Sequence, residues 1–301
     1  MRFAVLGPLE VVDDGVAVPI RNARLRAALG MLLLNANHVV TTDWLVASWW
    51  NDCPPPTARK MVHKTMADVR TMLLSATNHE SETPAVLATE RGYLLRVQPE
   101  LIDLPHFLAL ARRARTALAT GTTSQTVGAL REALAMSRGP VLADLVDMGV
   151  SWPELRAADQ QRLATLEILF DAALSRGRHR DVVGDLATLI ERDSPTERLI
   201  GQCMVALYRS GRQLDALDVY RKTRADAVAS HNREHGRGLQ QLHQAILTQD
   251  SSLEWSHGHP AIPGNLHLTG ASIYPSASSH GFGGVGGSAS ASGDETSSTS
   301  L

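Results

Sequence analysis

Aromatic side chains are scarce in this chain, at 4% of 301 residues. A β-sandwich depends on aromatic and β-branched residues, so their scarcity beside abundant Ala and Leu argues for packed helices. Cysteine is nearly absent. Cys53 and Cys203 stand far apart, which excludes a disulfide framework and a Cys-rich metal motif and makes a reducing cytoplasm the expected compartment. No apolar run approaches the roughly 18 residues of a membrane span. The opening "MRFAVLGPLE" is too short and too broken by Pro8 for a signal peptide. No membrane partner is therefore expected. Large net charge is also missing, at -2. That does not exclude nucleic acid, because the local distribution of charge decides there.

Chemistry-bearing motifs are missing too. No G-x-x-x-x-G-K-[ST] loop is present to cradle a triphosphate. "GFGGVG" at residues 281–286 satisfies G-x-G-x-x-G in letters only, since neither a strand nor a helix flanks it. "HNREH" at residues 231–235 has Glu at the wrong position for a zinc protease helix and reads as the polar end of a helix. No nucleophile–base or paired-carboxylate constellation stands out. The expectation is a protein that is not an enzyme, with no metal and no cofactor.

What is present falls into three regions. Residues 1–97 open with "RFAVLGPLEV" and "VAVPI" around Asp13-Asp14-Gly15, the pattern of an antiparallel hairpin. "RLRAALGMLLLNA" follows as a helix that Asn35 to Asn37 stop. Thr41 or Thr42 caps a second helix, "DWLVASWW", which three prolines end. The third helix spans residues 57–74. "AVLAT" and "YLLRV", separated by Glu90-Arg91-Gly92, form a second hairpin. Trp44, Trp49 and Trp50 fit core and turn packing, and Trp152 before Pro153 fits a helix-start anchor.

Residues 101–253 read as helix almost throughout, with segments near 105–120, 124–137, 151–176, 179–192, 196–210, 213–231 and 237–249. "LSRGRHRDVV" and "YRSGRQLDAL" echo one another with their glycines 34 residues apart, the tetratricopeptide period. Residues 256–301 contain no Lys or Arg and are rich in Ser and Gly. Such a tail buries too little apolar surface to offset chain ordering, so disorder is expected. The fold class expected is mostly α: an N-terminal winged helix-turn-helix (α+β), an all-α tetratricopeptide-like domain and a disordered tail.

The third helix concentrates positive charge. At 100° per residue, Val62, Thr65, Met66, Val69 and Leu73 share one side. Lys60, Lys64, Ala67 and Thr71 face the other way. His63 and Arg70 lie on a flank, with Arg59 on the same flank nearer the core. Residues 57–74 hold four Lys or Arg against one acid, Asp68. Long cations reach phosphates, and small side chains let a helix approach base edges. A solvated face on an amphipathic helix has the same pattern. The preceding helix and turn, and a hairpin with Arg91 at its tip, favour a winged helix. Asp68 fits two roles: accepting from a cytosine amino group, or pairing with Lys64 one turn earlier.

"RFAVLGPLEVVDDG", "RLRAALGMLLLNANHVV", "TARKMVHKTMADVRTML" and "ERGYLLRV" resemble the OmpR-type winged-helix domain. They resemble more closely its version in the Streptomyces antibiotic regulatory proteins. "LYRSGRQLDALDVYRKTR" and "LQQLHQAILTQD" are similar to the bacterial transcriptional activator domain that follows it in that family. The resemblance covers about residues 1–253. It implies a DNA-binding domain at 1–97 and an activator domain at 101–253, and leaves the tail at 256–301 outside it. It further implies a cytoplasmic, nucleoid-associated activator of secondary-metabolite genes that binds direct repeats in promoter DNA and helps recruit RNA polymerase. Binding as a homodimer or as tandem protomers is expected. The DNA-contacting positions it implies are Arg59, Lys60, His63, Lys64, Ala67, Arg70 and Thr71, with Arg91 in a wing at residues 90–93. Asp68 and Thr71 stand where relatives often carry arginine. A competing expectation is a tetratricopeptide-like protein–protein adaptor with weak or no DNA binding.

Overall fold

The computed structural model describes residues 1–20, 22–50, 53–75, 84–120, 123–232 and 234–254. The tail expectation falls outside the described residues.

The first apolar stretch forms two strands, not one. Gly7-Pro8 interrupts it, giving β1 (Arg2–Ala4) and β2 (Glu10–Asp13). β3 (Val16–Ala17) then completes a meander ordered β1-β2-β3. The β2–β3 turn holds Asp14 and Gly15 at φ 46° and 81°, the left-handed pair that a tight hairpin turn requires. Helix α1 (Ala23–Leu34) starts where Asn22 Oδ1 accepts the Arg24 and Leu25 amides. β4 (Val39–Thr41) leads directly into α2 (Thr42–Trp50), and the Thr41 hydroxyl accepts the Trp44 amide. α3 is Ala58–Ser75. β5 (Ala85–Ala88) and β6 (Gly92–Arg96) form the second hairpin, and β4 adds to it in the order β4-β6-β5. Strand β4 is not evident in the sequence. It is three residues long and defined only by its pairing, Val40 opposite Tyr93.

The helical region follows the expected segments closely: α4 (Asp103–Thr120), α5 (Thr123–Met136), α7 (Pro153–Leu174), α8 (His179–Arg192), α9 (Glu197–Arg209), α10 (Gln213–His231) and α11 (Arg237–Leu247). One short helix, α6 (Ala143–Asp147), has no counterpart among them. Helix α9 sits centrally, packed on α7, α8, α10 and α11. The echoed glycines occupy equivalent turns: Gly177 at φ 76° and Gly211 at φ 80° end α7 and α9 in the left-handed conformation that favours glycine. Among the described residues, no helix is long and apolar enough to cross a membrane.

One hydrophobic cluster runs through both regions, from Phe3 to Leu253. The irregular segment after β1 obtains its hydrogen bonds from the helical region. Asp103 accepts the amides of Val5 and Leu6 at 2.8 and 3.1 Å. The amides of Arg138, Leu142 and Ala143 donate to the carbonyls of Leu6, Val5 and Gly7. Asp144 accepts the Leu9 amide at 2.9 Å and pairs with Arg26, whose guanidinium also donates to Leu9 O and Ile20 O. Trp152, at the start of α7, donates its indole N–H to Ser48 O in α2 at 3.4 Å. Backbone polar groups at a buried junction need such partners, and here another region of the chain supplies them.

Two buried histidines set an acid limit. Burial, with a smaller push from Arg209, lowers the His179 pKa from 6.5 to about 4. Burial also lowers that of His235, against Glu197 and Glu234, which pull it back up. Residue 235 is thus interior, not the polar helix end expected, and its Nε2 meets the Thr223 hydroxyl at 3.1 Å. Both rings are neutral in the folded chain at neutral pH. As pH falls below 6.5 the unfolded chain binds protons first. The stability that the neutral rings allow is complete above that pH and is lost down to about 4. For His179 the loss is about 3 kcal/mol. The melting temperature is expected to fall steadily from pH 7 to 4.5, and His179→Gln to flatten that fall. Thermal unfolding across this range checks it.

Candidate nucleic-acid interface

Helix α3 buries Ala58, Val62, Thr65, Met66, Val69 and Leu73 and leaves Arg59, Lys60, His63, Lys64, Ala67, Asp68 and Thr71 exposed. The 3.6-residue period explains this division: the apolar stripe faces α1, α2 and β5. Buried Thr65 resolves its hydroxyl by donating to Met61 O, one turn back, at 2.9 Å.

The eight sequence-predicted residues separate into held and unheld groups. Arg59 forms an ion pair with Asp43 in the first turn of α2. Both are mostly exposed, so the pair orients more than it stabilises. His63 Nδ1 shares a hydrogen bond with the Tyr93 hydroxyl. Arg70 donates from Nε to Val86 O in β5 at 2.8 Å, and its guanidinium lies over the Tyr93 ring at 5.8 Å. Thr71 donates to Ala67 O at 3.1 Å, back-bonding onto its own helix.

Lys60 and Lys64 make no ion pair among the described residues, and neither does Asp68. Pairing of Asp68 with Lys64, one of the two expectations, does not form. Both side chains are solvated, and a surface pair at that spacing gains too little to order two flexible chains. The lysines therefore project as free cations.

Arg91 is exposed in the β5–β6 turn, with its carbonyl accepting the Thr42 amide at 3.0 Å. The next residue along α2, Asp43, holds Arg59. The wing tip and the first turn of α3 are thus tied to the same end of α2. Gly92 explains the glycine after Arg91: a Cβ there would sit 2.0 Å from Val40 O and 2.7 Å from Thr41 Cα. Only glycine lets β4 close against the wing.

Tyr93 falls inside the wing expected from sequence, yet nothing local gives it a role. Its signal is slight, a Tyr two residues after the tip Arg. Tyr93 is buried on the central strand β6, touches His63 at a 6.0 Å ring separation and carries Arg70 on its face. Burial raises the pKa of its phenol, and Arg70 offsets part of that rise, so the hydroxyl keeps its proton at neutral pH. Asp43 is invisible for another reason, since no local spacing links residues 43 and 59. The tryptophans pack as expected, with Trp49 edge-on to Trp50 and Arg24 over the Trp50 ring.

Residues 102–247 match the bacterial transcriptional activator domain. The regulatory protein DnrI of Streptomyces peucetius is 30% identical over 267 residues, covering 87% of this chain and 97% of DnrI. This chain belongs to the family of Streptomyces antibiotic regulatory proteins. Within a broader set of relatives, the transcriptional regulatory protein EmbR of Mycobacterium tuberculosis H37Rv is 32% identical over 251 residues, 83% of this chain. This chain spans 64% of EmbR's length, and 25% of the regulatory protein AfsR of Streptomyces coelicolor, to which it is 33% identical. A solved structure of M. tuberculosis EmbR in complex with a low affinity phosphopeptide superimposes with a TM-score of 0.64 at 31% identity, over 82% of this chain and 65% of that one.

Proposed function

We propose that this chain is a sequence-specific DNA-binding transcriptional activator of a secondary-metabolite gene cluster. It binds direct repeats upstream of promoters and recruits RNA polymerase. The observation that carries this reading is the exposed face of α3, where Lys60 and Lys64 stand free beside the small residues Ala67 and Thr71. A helix of this form enters the major groove with its cations on phosphates and its small residues near base edges. Lys60 and Lys64 take phosphates. His63, Ala67 and Thr71 shape base readout. Arg59 and Arg70 act from positions already fixed by Asp43 and Tyr93, and Arg91 steadies the wing against the backbone. Protomers bind in tandem or as a homodimer, residues 1–97 on the DNA and 101–253 toward the polymerase. The protein works as a regulator without enzymatic chemistry, in the cytoplasm and on the nucleoid.

The adaptor alternative has one feature in its favour. A cleft of about 620 Å³ opens between α8, α9 and α10, with Val183, Ala187, Leu207 and Val219 in its lining and Arg180 and Lys222 beside them. Helical repeats take peptides in such clefts. Footprinting of the full chain on the upstream regions of neighbouring operons separates the two. Protected tandem repeats support the activator. No protection at any concentration that keeps the protein soluble favours the adaptor.

A further inference from the structure

We propose that Tyr93 is a positioning residue for base readout: its hydroxyl fixes the His63 ring so that Nε2–H is presented to a hydrogen-bond acceptor on a base edge. This rests on the DNA-binding reading above and goes further by naming how one base contact is set.

The geometry has three parts. Tyr93 stands on the central strand β6, paired with Val40 on one side and Ala88 on the other, so its backbone is held from both edges. Arg70 covers the ring face while its Nε is spent on Val86 O, which prevents the phenol from swinging away. The hydroxyl then meets His63 Nδ1 across the α3–wing boundary. The phenol O–H is taken as the donor to Nδ1, and a neutral imidazole whose Nδ1 accepts carries its proton on Nε2. Nε2 has no partner among the described residues, and the side chain is exposed on the flank of the face that carries Lys60 and Lys64.

An unanchored histidine samples rotamers and both tautomers. It can meet either a donor or an acceptor and so discriminates poorly. Anchored by Tyr93, it offers a donor alone. Guanine O6 and N7, adenine N7 and thymine O4 accept in the major groove, whereas the cytosine amino group does not. Sequence preference at one base pair thus depends on a residue that never touches DNA, whereas backbone affinity does not.

The test uses the full chain with Tyr93→Phe, which removes only the hydroxyl. Fluorescence anisotropy compares a footprinted site, its single-base variants and random duplex. Discrimination at one base pair is expected to fall about fivefold, the effect of one hydrogen bond. Random-duplex affinity and salt dependence stay at wild-type values. Nitrogen-15 spectra of the free protein are expected to show His63 moving from the Nε2–H tautomer toward a mixture. In a His63→Ala background, Tyr93→Phe is expected to change nothing further. Unaltered discrimination by Tyr93→Phe overturns the proposal, as does an equal loss in the His63→Ala background. Failure of the wild-type chain to bind any duplex overturns the DNA-binding reading itself, and this inference with it.

Discussion

Cutting the chain after Val97 is expected to leave a fragment with no cooperative unfolding transition. The winged-helix residues do not close their own core. Phe3 bridges to Ile102, and the amides of Val5, Leu6 and Leu9 end on Asp103 and Asp144. Gly30 of α1 lies so close to Leu142 and Leu145 that a Cβ there would meet their side chains at 3.1 and 2.9 Å. Truncation removes all of these partners together. Each hydrogen bond removed costs about 1 kcal/mol. Re-exposing the faces of Phe3 and Leu6, both buried at this junction, adds about 1.5–3 kcal/mol per side chain. The sum is comparable to the roughly 5–15 kcal/mol that typically holds a domain. Ending the chain at residue 254 instead keeps the whole junction. Thermal unfolding by circular dichroism checks both. A sharp melt of the 1–97 fragment near that of the full chain would show that the junction contributes little.

Replacing Lys60 and Lys64 together by Ala is expected to weaken binding about 30-fold at physiological salt, equally on specific and random duplex. Each phosphate neutralised releases condensed counterions, and the dependence on salt is close to 0.9 per phosphate in log–log form. Removing both cations at about 0.15 M ionic strength gives that factor by extrapolation from 1 M. The fold is expected to survive, because both side chains are exposed and make no ion pair among the described residues. Lys60→Arg with Lys64→Arg keeps the charge and is expected to keep the affinity. An exposed lysine on the helical region, Lys222, which pairs with Glu191, serves as the control.

Much of this arrangement is legible in the sequence because it is local. The stripe Val62, Thr65, Met66, Val69 and Leu73 follows from helical period alone, and the structure buries all five. The cap at Thr41 is equally readable from residue type. What escapes depends on partners distant in sequence. Strand β4 exists because Val40 finds Tyr93, more than fifty residues on. Asp68 has a feasible partner at i−4, but feasibility of a solvated pair says little about whether it forms. His235 reads as surface because nothing local shows that Thr223 and Glu197 close around it. The split of the first strand at Gly7-Pro8 is a local signal that a single expected strand ignores, since proline seldom fits inside a ladder. Of the site, the cations and their face are visible, while the groups that aim them, Asp43 and Tyr93, are not.

Helix α3 is proposed to meet DNA through Lys60 and Lys64. The most direct measurement is the salt dependence of binding to one promoter duplex, for the wild-type chain and for Lys60→Ala/Lys64→Ala side by side. A log–log slope shallower by roughly 2 is expected in the double variant. Equal slopes for the two proteins would contradict it.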